Sequence, residues 1–464
     1  MWNLDVNNAY LLSDQVGFVA VKAPTAYRKK FPKVKYWRLL KILPGQREGA
    51  IGWNKKLRML LGNQKLQVLK TDASLYFNPA TRDIALSHVD DLQVVCDKGK
   101  GKDLIGAFTT NLKCTVGGPY SEPGDTFVFL KRIHEYTAEG CLIRPAEKYF
   151  ESLAKILGFD TKKCKANPST ADLNEEDESE PLDATETERF RRALGTILYI
   201  IVDRPDAQHC CTVLSTFMSS PTTRALERVI HLSSYLYGTK TLGIFLSKGT
   251  KGSSVLNFSN DKNAGIRNPH KHLLEVLSDS DWASCKKTRR SISSGHVFLD
   301  GHLIYSFARL QKVVSLSSCE SELYGLTTTV AEGLYISSIL RELNIPHIFV
   351  GRTDSAAARG AIRREGVGRL RHIDARNMWL QQLIRESDVF KLGTVGTKYN
   401  TADLGTKVLT GHRRRMLQYL INMYDGKTFE HIGEAEFVVA QTDDTRRVEL
   451  KTMMISFKAF WSGQ

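Results

Sequence analysis

Leu277-Ser278-Asp279-Ser280-Asp281-Trp282-Ala283 closes an apolar run that begins at Leu273, and it sets two carboxylates just past that run. Three more acids downstream stand in comparable places. Glu322 falls in the first turns of a helix that the spacing predicts over 320–343. Asp354 follows the apolar run Ile348-Phe349-Val350. Asp403 precedes Leu404-Gly405-Thr406-Lys407, near a helix start. Acids at strand ends and helix starts can converge on one edge of a sheet. Carboxylates gathered there repel one another unless a hard cation neutralises them, and Mg²⁺ with oxygen ligands is the natural choice. Two such ions about 4 Å apart activate a water and stabilise the leaving oxygen of a phosphodiester. Taken singly, each acid reads first as a cap or a surface charge, and periodicity alone does not lift the set above that reading.

The rest of the chain bounds the class. Its 464 residues suggest two to four domains. The hydrophobic fraction of 42% is ordinary for a globular protein, and the formal net charge is +15. An excess of that size points to a polyanionic partner, nucleic acid before an anionic membrane surface. No long uncharged apolar stretch and no secretory signal are visible. The eight cysteines form no CxxC pair and no Cys/His zinc spacing. They read as free thiols in a reducing compartment, so an intracellular location, cytoplasmic or nuclear, is expected.

Ile84–Val95 reads as two strands joined by a tight turn that carries Asp90 and Asp91. The acidic stretch 174–181 reads as a solvated joint. Phe190–Tyr199 and Ala225–Tyr237 have helical spacing. Asp300-Gly301 between Val297-Phe298-Leu299 and Leu303-Ile304-Tyr305 signals a hairpin. Phe437-Val438-Val439-Ala440 is strand-like, without a motif around it.

The downstream blocks resemble the RNase H domain of copia-type retrotransposon Pol polyproteins. The stretch 277–283 is similar to the S-D-x-D-W-A signature of that family. Thr288-Arg289-Arg290-Ser291, Ser294-Gly295, Gln311-Lys312 and Leu316-Ser317-Ser318-Cys319-Glu320-Ser321-Glu322 continue the likeness. Thr353-Asp354-Ser355-Ala356-Ala357, His372-Ile373-Asp374-Ala375-Arg376 and Ala402-Asp403-Leu404-Gly405-Thr406-Lys407 complete it. The resemblance implies four metal-binding catalytic acids: Asp279 (with Asp281 as fallback), Glu322 in preference to Glu320, Asp354 and Asp403. The loop 396–400 lacks the His that many cellular RNases H carry near the fourth acid. His372 belongs to the family's own block, with a packing or substrate role.

Upstream, Ser87-His88-Val89-Asp90-Asp91-Leu92 resembles the reverse-transcriptase Y-V-D-D-L turn, with His88 in the aromatic position. Leu4-Asp5-Val6-Asn7-Asn8-Ala9-Tyr10 resembles D-V-x-x-A-F/Y. The likeness implies Asp5 and Asp90 as metal ligands, Asp91 as a third catalytic acid, and Tyr10 against the sugar. Gly45 and Trp53 match a template-side block in which Glu48 replaces a Gln. Asp72-Ala73-Ser74-Leu75-Tyr76 matches D-P-S-L-F. Arg204-Pro205-Asp206, Phe217-Met218-Ser219 and Tyr235-Leu236-Tyr237-Gly238-Thr239 resemble the connecting segment.

These readings predict an α/β and α+β multidomain chain. Its expected divisions are a truncated reverse-transcriptase palm (1–118), a thumb-like segment (119–173), an acidic linker (174–188), a connection region (189–270), an RNase H-like mixed sheet flanked by helices (271–410) and a C-terminal tail (411–464). The expected activity is Mg²⁺- or Mn²⁺-dependent cleavage of RNA in an RNA–DNA hybrid. RNA-directed DNA polymerisation is expected to be weak, because basic fingers do not precede Asp5. The competing expectation is a catalytically decayed or host-retained nucleic-acid-binding remnant. The expected partners are hybrid, RNA template and DNA. Basic clusters at Arg28-Lys29-Lys30, Lys286-Lys287 with Arg289 and Arg290, Arg363-Arg364 with Arg369 and Arg371, and Arg413-Arg414-Arg415 are the candidates to hold phosphates.

Overall fold

In a computed structural model, the chain divides into two compact units, Met1–Ser121 and Glu122–Gln464. The structure describes residues 1–248, 271–366, 368, 370, 372–373, 378–387 and 390–425. Phe437–Ala440, Arg369, Arg371 and Asp374–Arg376 lie outside the described residues. The architecture is a mixed α/β multidomain fold with several sheets.

The first unit is built on a six-stranded sheet. Its strands are β1 (Trp2–Val6), β4 (Gln67–Val68), β5 (Leu75–Phe77), β6 (Ile84–His88), β7 (Asp91–Val95) and β8 (Cys114–Gly117), in the order β4-β5-β6-β7-β1-β8. A separate two-stranded ribbon pairs β2 (Ala20–Lys22) with β3 (Tyr36–Arg38), and α1 (Thr25–Lys30), which buries no residue, lies between them in sequence. Alternation sets the faces of the large sheet. Leu4, Val6, Leu92 and Val94 are buried in one core with Trp53, Leu57 and Leu61 of α2 (Arg47–Asn63) and Ile105 and Phe108 of α3 (Gly101–Asn111). On β1 and β7, Gln93 Nε2 donates to Asn3 Oδ1 at 3.1 Å. The hairpin predicted over Ile84–Val95 is present, and Val89 in its turn has φ of 56°.

The second unit carries two five-stranded sheets. One has the order β18-β12-β11-β10-β9. It joins β9 (Thr126–Phe129), β10 (Arg132–Tyr136) and β11 (Gly140–Pro145) to β12 (Gly243–Ser247) and to β18 (Met423–Tyr424). Helices α4 (Glu147–Leu157), α5 (Ala184–Ile200), α6 (Gln208–Ser215) and α7 (Thr223–Gly238) share an apolar core that includes Phe150, Phe190, Ile197, Leu214 and Leu232. The helices predicted over Phe190–Tyr199 and Ala225–Tyr237 are the later parts of α5 and α7.

Two expectations change here. The acidic stretch is a strap tied down at Asp177, with Glu175, Glu176, Glu178 and Glu180 left exposed to solvent as expected. The carboxylate of Asp177 is buried and accepts from Ser179 N and Oγ at 3.0 and 2.6 Å and from Thr222 Oγ1 at 2.7 Å. Leu182 N donates to Pro221 O, and Asp183 caps α5 by accepting from Glu186 N. Charge composition suggested solvent, but Ser179 of the same stretch and the hydroxyl of Thr222 at the start of α7 satisfy Asp177, and Glu186 N of α5 satisfies Asp183. The supposed tail also opens with structure: α11 (Gly411–Leu420) and then β18, which extends the first of these sheets beside β12.

The other sheet has the order β15-β14-β13-β16-β17, from β13 (His272–Ser280), β14 (Ile292–Leu299), β15 (His302–Leu310), β16 (His347–Thr353) and β17 (Phe390–Thr394). The first three strands pair antiparallel, and β13, β16 and β17 run parallel. The hairpin predicted at Asp300-Gly301 joins β14 to β15. The long helix α8 (Ser318–Glu342) lies across β13, β14 and β16, and α9 (Ala356–Arg363) and α10 (Trp379–Glu386) follow β16.

Candidate active site

Strand register brings the downstream acids together. In the parallel pair β13–β16, Ser278 stands opposite Thr353, so Asp279 and Asp354 leave the same end of neighbouring strands one residue later. Parallel strands place their carboxyl ends side by side, and that edge is where open sheets bind ligands. Glu322 reaches the edge from above, one turn into α8. Ser317 starts this helix by accepting from Glu320 N at 3.2 Å.

Gly325 sets how closely α8 lies on the strands. A Cβ there would collide with Ser280 Oγ and stand 3.1 Å from Ser278 Oγ and 3.3 Å from Ser293 Oγ. Gly333, two turns on, meets Phe349 and Val276 in the same way. Replacing Gly325 by Val is therefore expected to lift the helix start, cost about 1–3 kcal/mol of stability and lower the affinity for divalent ions. Thermal melts with and without Mn²⁺ check this. A variant that melts and binds like the parent would show that the close approach does not set the position of Glu322.

Asp279, Glu322 and Asp354 each offer an oxygen, and these oxygens lie within 4.8 Å of one another. Among the described residues this is the one group of three or more such ligands. Asp279 and Glu322 are buried and Asp354 is partly buried. Burial, followed by the charges of Asp279 and Asp354, pushes the Glu322 carboxyl up to about 9. Burial also pushes Asp279 up to about 6, with Lys407 opposing the rise and Asp403 adding to it. Two unit charges 4 Å apart repel by roughly 4 kcal/mol at a near-surface dielectric. Glu322 Oε2 is buried and has no hydrogen-bond partner. An orphaned carboxylate oxygen among converging carboxylates is what a hard, oxygen-seeking cation would satisfy, so the donor set fits Mg²⁺ or Mn²⁺.

Asp403 stands beside this group but is differently paired. It lies in a 3-10 turn, Thr401–Gly405, and both of its oxygens meet cations. Lys407 Nζ is 2.6 Å from Oδ1, and Arg413 Nη2 is 3.0 Å from Oδ2. Lys407 Nζ also reaches Asp279 at 3.3 Å, and Thr406 Oγ1 donates to Asp279 Oδ2. Burial would draw the Lys407 ammonium down, but Asp279 and Asp403 outweigh it and hold it above its ordinary value.

The alternatives for the first two acids point elsewhere. Asp281 accepts from Ile292 N at 2.8 Å and from Ser284 Oγ at 2.5 Å, bracing the loop after β13. Glu320 accepts from Leu316 N at 2.8 Å and lies 2.9 Å from His372 Nε2. Both acids are spent on local structure.

Some functional neighbours stand out only once the chain is folded. Asn400 is fully buried and donates to Ser278 O at 3.0 Å and Asp354 Oδ1 at 3.4 Å, while its Oδ1 accepts from Ala402 N. It pins the turn bearing Asp403 to the strand ends. An amide one residue before that turn was the available signal. Arg413 was grouped with Arg414 and Arg415 as a phosphate-holding cluster. In the structure Arg413 turns to Asp403 and to the carbonyls of Thr397 and Lys398, and buried Arg414 donates to Asn167 at 2.8 Å. Helix α11 is held by a second buried network. Arg204 forks onto Asp206 at 3.0 and 2.8 Å, and Tyr235 and Gln418 also donate to Asp206. The Arg-Pro-Asp block thus anchors the helix that supplies Arg413.

Of the basic positions, Lys286, Lys287 and Arg289 are exposed and Arg290 is half-buried in the loop between β13 and β14, near exposed Trp282. Arg371 lies outside the described residues.

In the first unit, β1 and β7 pair with Asp5 opposite Asp91, and Val6 N donates to Asp90 O at 2.9 Å. Burial and then the charges of Asp90 and Asp5 hold the Asp91 carboxyl above its usual range. Asp5 and Asp90 are exposed. Trp53 Nε1 donates to Val89 O at 2.5 Å, tying α2 to the turn that carries the acids. Gly45, with φ of +96°, makes the turn that starts α2. The Tyr10 ring packs on that helix at Gly49, where a Cβ would stand 3.3 Å from it. Glu48 is exposed in the first turn.

No family model matches the chain. It is 25% identical over 433 residues to the retrovirus-related Pol polyprotein from transposon TNT 1-94 of Nicotiana tabacum, covering 91% of this chain and 31% of that protein. It is 27% identical over 346 residues to the corresponding polyprotein from transposon RE1 of Arabidopsis thaliana, covering 74% of this chain and 22% of that protein. The chain thus spans about a third or less of the length of these two polyproteins. Among solved structures, it is similar to a foamy viral protease-reverse transcriptase in complex with dsDNA, at 10% identity and a TM-score of 0.41, over 85% of this chain and 67% of that one.

Proposed function

From the premise that the chain is homologous to the retrovirus-related Pol polyproteins of copia-type transposons, we propose that it is a reverse transcriptase/RNase H fragment whose second unit hydrolyses the RNA strand of an RNA–DNA hybrid. The observation that carries this reading is the group formed by Asp279, Glu322 and Asp354 at the carboxyl ends of two parallel strands. With Asp403 beside them, these residues would hold Mg²⁺ or Mn²⁺. The ions would polarise a scissile phosphate and lower the pKa of an attacking water. The protein's own part is positional. Gly325 lets Glu322 approach, Asn400 ties Asp354 to the turn of Asp403, and Thr406 orients Asp279. Lys286, Lys287, Arg289 and Arg290 supply charge for the backbone of a duplex, with exposed Trp282 in the same loop.

The first unit is read as a reverse-transcriptase palm, with Asp5, Asp90 and Asp91 as its acids and Tyr10 against the sugar. Its polymerisation is proposed to be impaired, because His88 stands in the aromatic position of the turn and Glu48 sets an exposed acid on the template-side helix. For this unit alone, nucleic-acid binding without efficient synthesis is the second reading. Of the domain limits expected from the sequence, those of the palm (1–118) and of the RNase H-like part (271–410) belong to the same proposal.

The test is cleavage of three labelled duplexes by the purified chain in Mg²⁺ and in Mn²⁺. RNA in the hybrid is expected to be cut, while duplex DNA and duplex RNA stay intact, and EDTA is expected to stop the reaction. Equal cutting of duplex DNA would make the second unit a nuclease of a different class, and an intact hybrid in both metals would leave only the binding role.

A further inference from the structure

The cation pairing around Asp403 bears on how the proposed metal site fills, an inference that rests on the reading of that site as divalent-ion binding. Asp279 is the acid shared by two groups. On one side it converges with Glu322 and Asp354. On the other, the Lys407 ammonium lies 3.3 Å from Asp279 and 2.6 Å from Asp403. The ammonium therefore bridges the two carboxylates that a second ion would have to share.

We propose that Lys407 is a tethered cation that holds the ground between Asp279 and Asp403, so that a second divalent ion binds there only by displacing the ammonium.

Three observations support this. The backbone under Lys407 is fixed, since Lys407 N donates to Asp403 O at 3.1 Å, but its side chain is 41% exposed and has solvent to swing into. Arg413 secures the other oxygen of Asp403, so that acid keeps a partner when Lys407 leaves. Charge balance points the same way. With all four acids ionised, Lys407 and Arg413 leave two net negative charges, which a single divalent ion neutralises. A second divalent ion would make the cluster net positive beside the ammonium. That excess is relieved when Lys407 turns outward, or when an anionic phosphodiester enters. The two ion positions are therefore unequal. The group of Asp279, Glu322 and Asp354 takes its ion with Lys407 in place, and the Asp279–Asp403 position fills weakly without nucleic acid.

The experiment is Mn²⁺ binding to the full chain without nucleic acid, followed by calorimetry and by the electron paramagnetic resonance signal of free Mn²⁺. The parent is compared with Lys407→Met, Lys407→Gln and Lys407→Arg. The parent and Lys407→Arg are expected to bind one ion well and a second weakly. Lys407→Met is expected to tighten the second ion by at least about tenfold, since a partly buried charge competes at close range, and to lower the melting temperature in EDTA, where Asp279 and Asp403 then repel unscreened. Lys407→Gln keeps a polar group in the same space and carries the comparison if the methionine variant does not fold. Second-ion affinities within twofold of the parent overturn the proposal. So does a variant that loses hybrid binding while its Mn²⁺ binding is unchanged, which would make Lys407 a substrate contact. In both cases the first ion still binds and the metal reading stands. Failure of parent and variants alike to bind Mn²⁺ removes the metal reading, and this inference with it.

Discussion

Replacing Glu322 by Gln and Asp354 by Asn together is expected to lower hydrolysis of the hybrid by at least about a thousandfold, and to raise the melting temperature in EDTA. The two effects have one cause. Glu322, Asp354 and Asp279 converge within 4.8 Å, and burial already opposes the charge on Glu322. Held together without a cation, they repel. Two amides remove that repulsion and give Glu322 Oε2, which has no hydrogen-bond partner, a donor-bearing group in its place. The same change removes the ligands. A divalent ion contributes several kcal/mol to stabilising the charge that develops on the phosphate, and each 1.36 kcal/mol is about tenfold in rate, which gives the expected size. A purely structural role for the acids predicts the opposite pairing, lost stability with lost activity. Initial rates on a labelled hybrid in Mg²⁺ and Mn²⁺, with melts in EDTA, separate the two. Activity within tenfold of the parent would show that these acids are not the ligands.

The acids were legible from sequence because family-like blocks surround each of them, and local pattern alone only placed them near the ends of regular elements. Asp279 and Asp354 follow apolar runs, and strand alternation with its sharp ends is a strong local signal. Glu322 was preferred to Glu320 because Glu322-Leu323-Tyr324-Gly325 resembles the E-L-x-A pattern of RNases H, and in the structure Glu320 turns back to Leu316 and His372. Pairing across long separations was not legible. The sheet β18-β12-β11-β10-β9 draws strands from segments that composition divides into a thumb-like part, a connection region and a tail. Nothing local in Met423-Tyr424 announces its place beside Gly243-Ile244. Arginine direction was not legible either. Arg413-Arg414-Arg415 has the composition of a solvated patch, yet its first two members turn inward because acids and carbonyls from distant elements meet them there. Asp177 repeats the lesson with the sign reversed: an acidic run reads as solvated unless the hydroxyl of Thr222, forty-five residues on, is known to face it.

The same limit applies to Glu275, which sits inside the apolar run leading to Asp279 and looks in the sequence like a flaw in a buried strand. The structure supplies its partner. Arg352 on β16 donates from Nε to Glu275 Oε1 at 2.8 Å and from Nη1 to Thr394 O at 2.8 Å, and both charged side chains are sealed from solvent. The guanidinium thereby links β13, β16 and β17 two residues before Asp354. Glu275→Leu alone is expected to cost about 3–5 kcal/mol, because it strands a buried cation. Against a typical domain stability of about 5–15 kcal/mol, that loss is enough to unfold much of the unit at growth temperature. Glu275→Leu combined with Arg352→Met is expected to recover most of the loss, since a well-packed apolar pair avoids desolvating two ions. The remaining deficit is the hydrogen bond to Thr394 O, about 1 kcal/mol. Urea unfolding of the parent, both single variants and the double variant closes the cycle. If Glu275→Leu alone costs under about 1 kcal/mol, or if the double variant is no better than the single, the pair is not what holds the three strands in register. In that case Asp354 owes its position to Asn400 rather than to the strand beneath it.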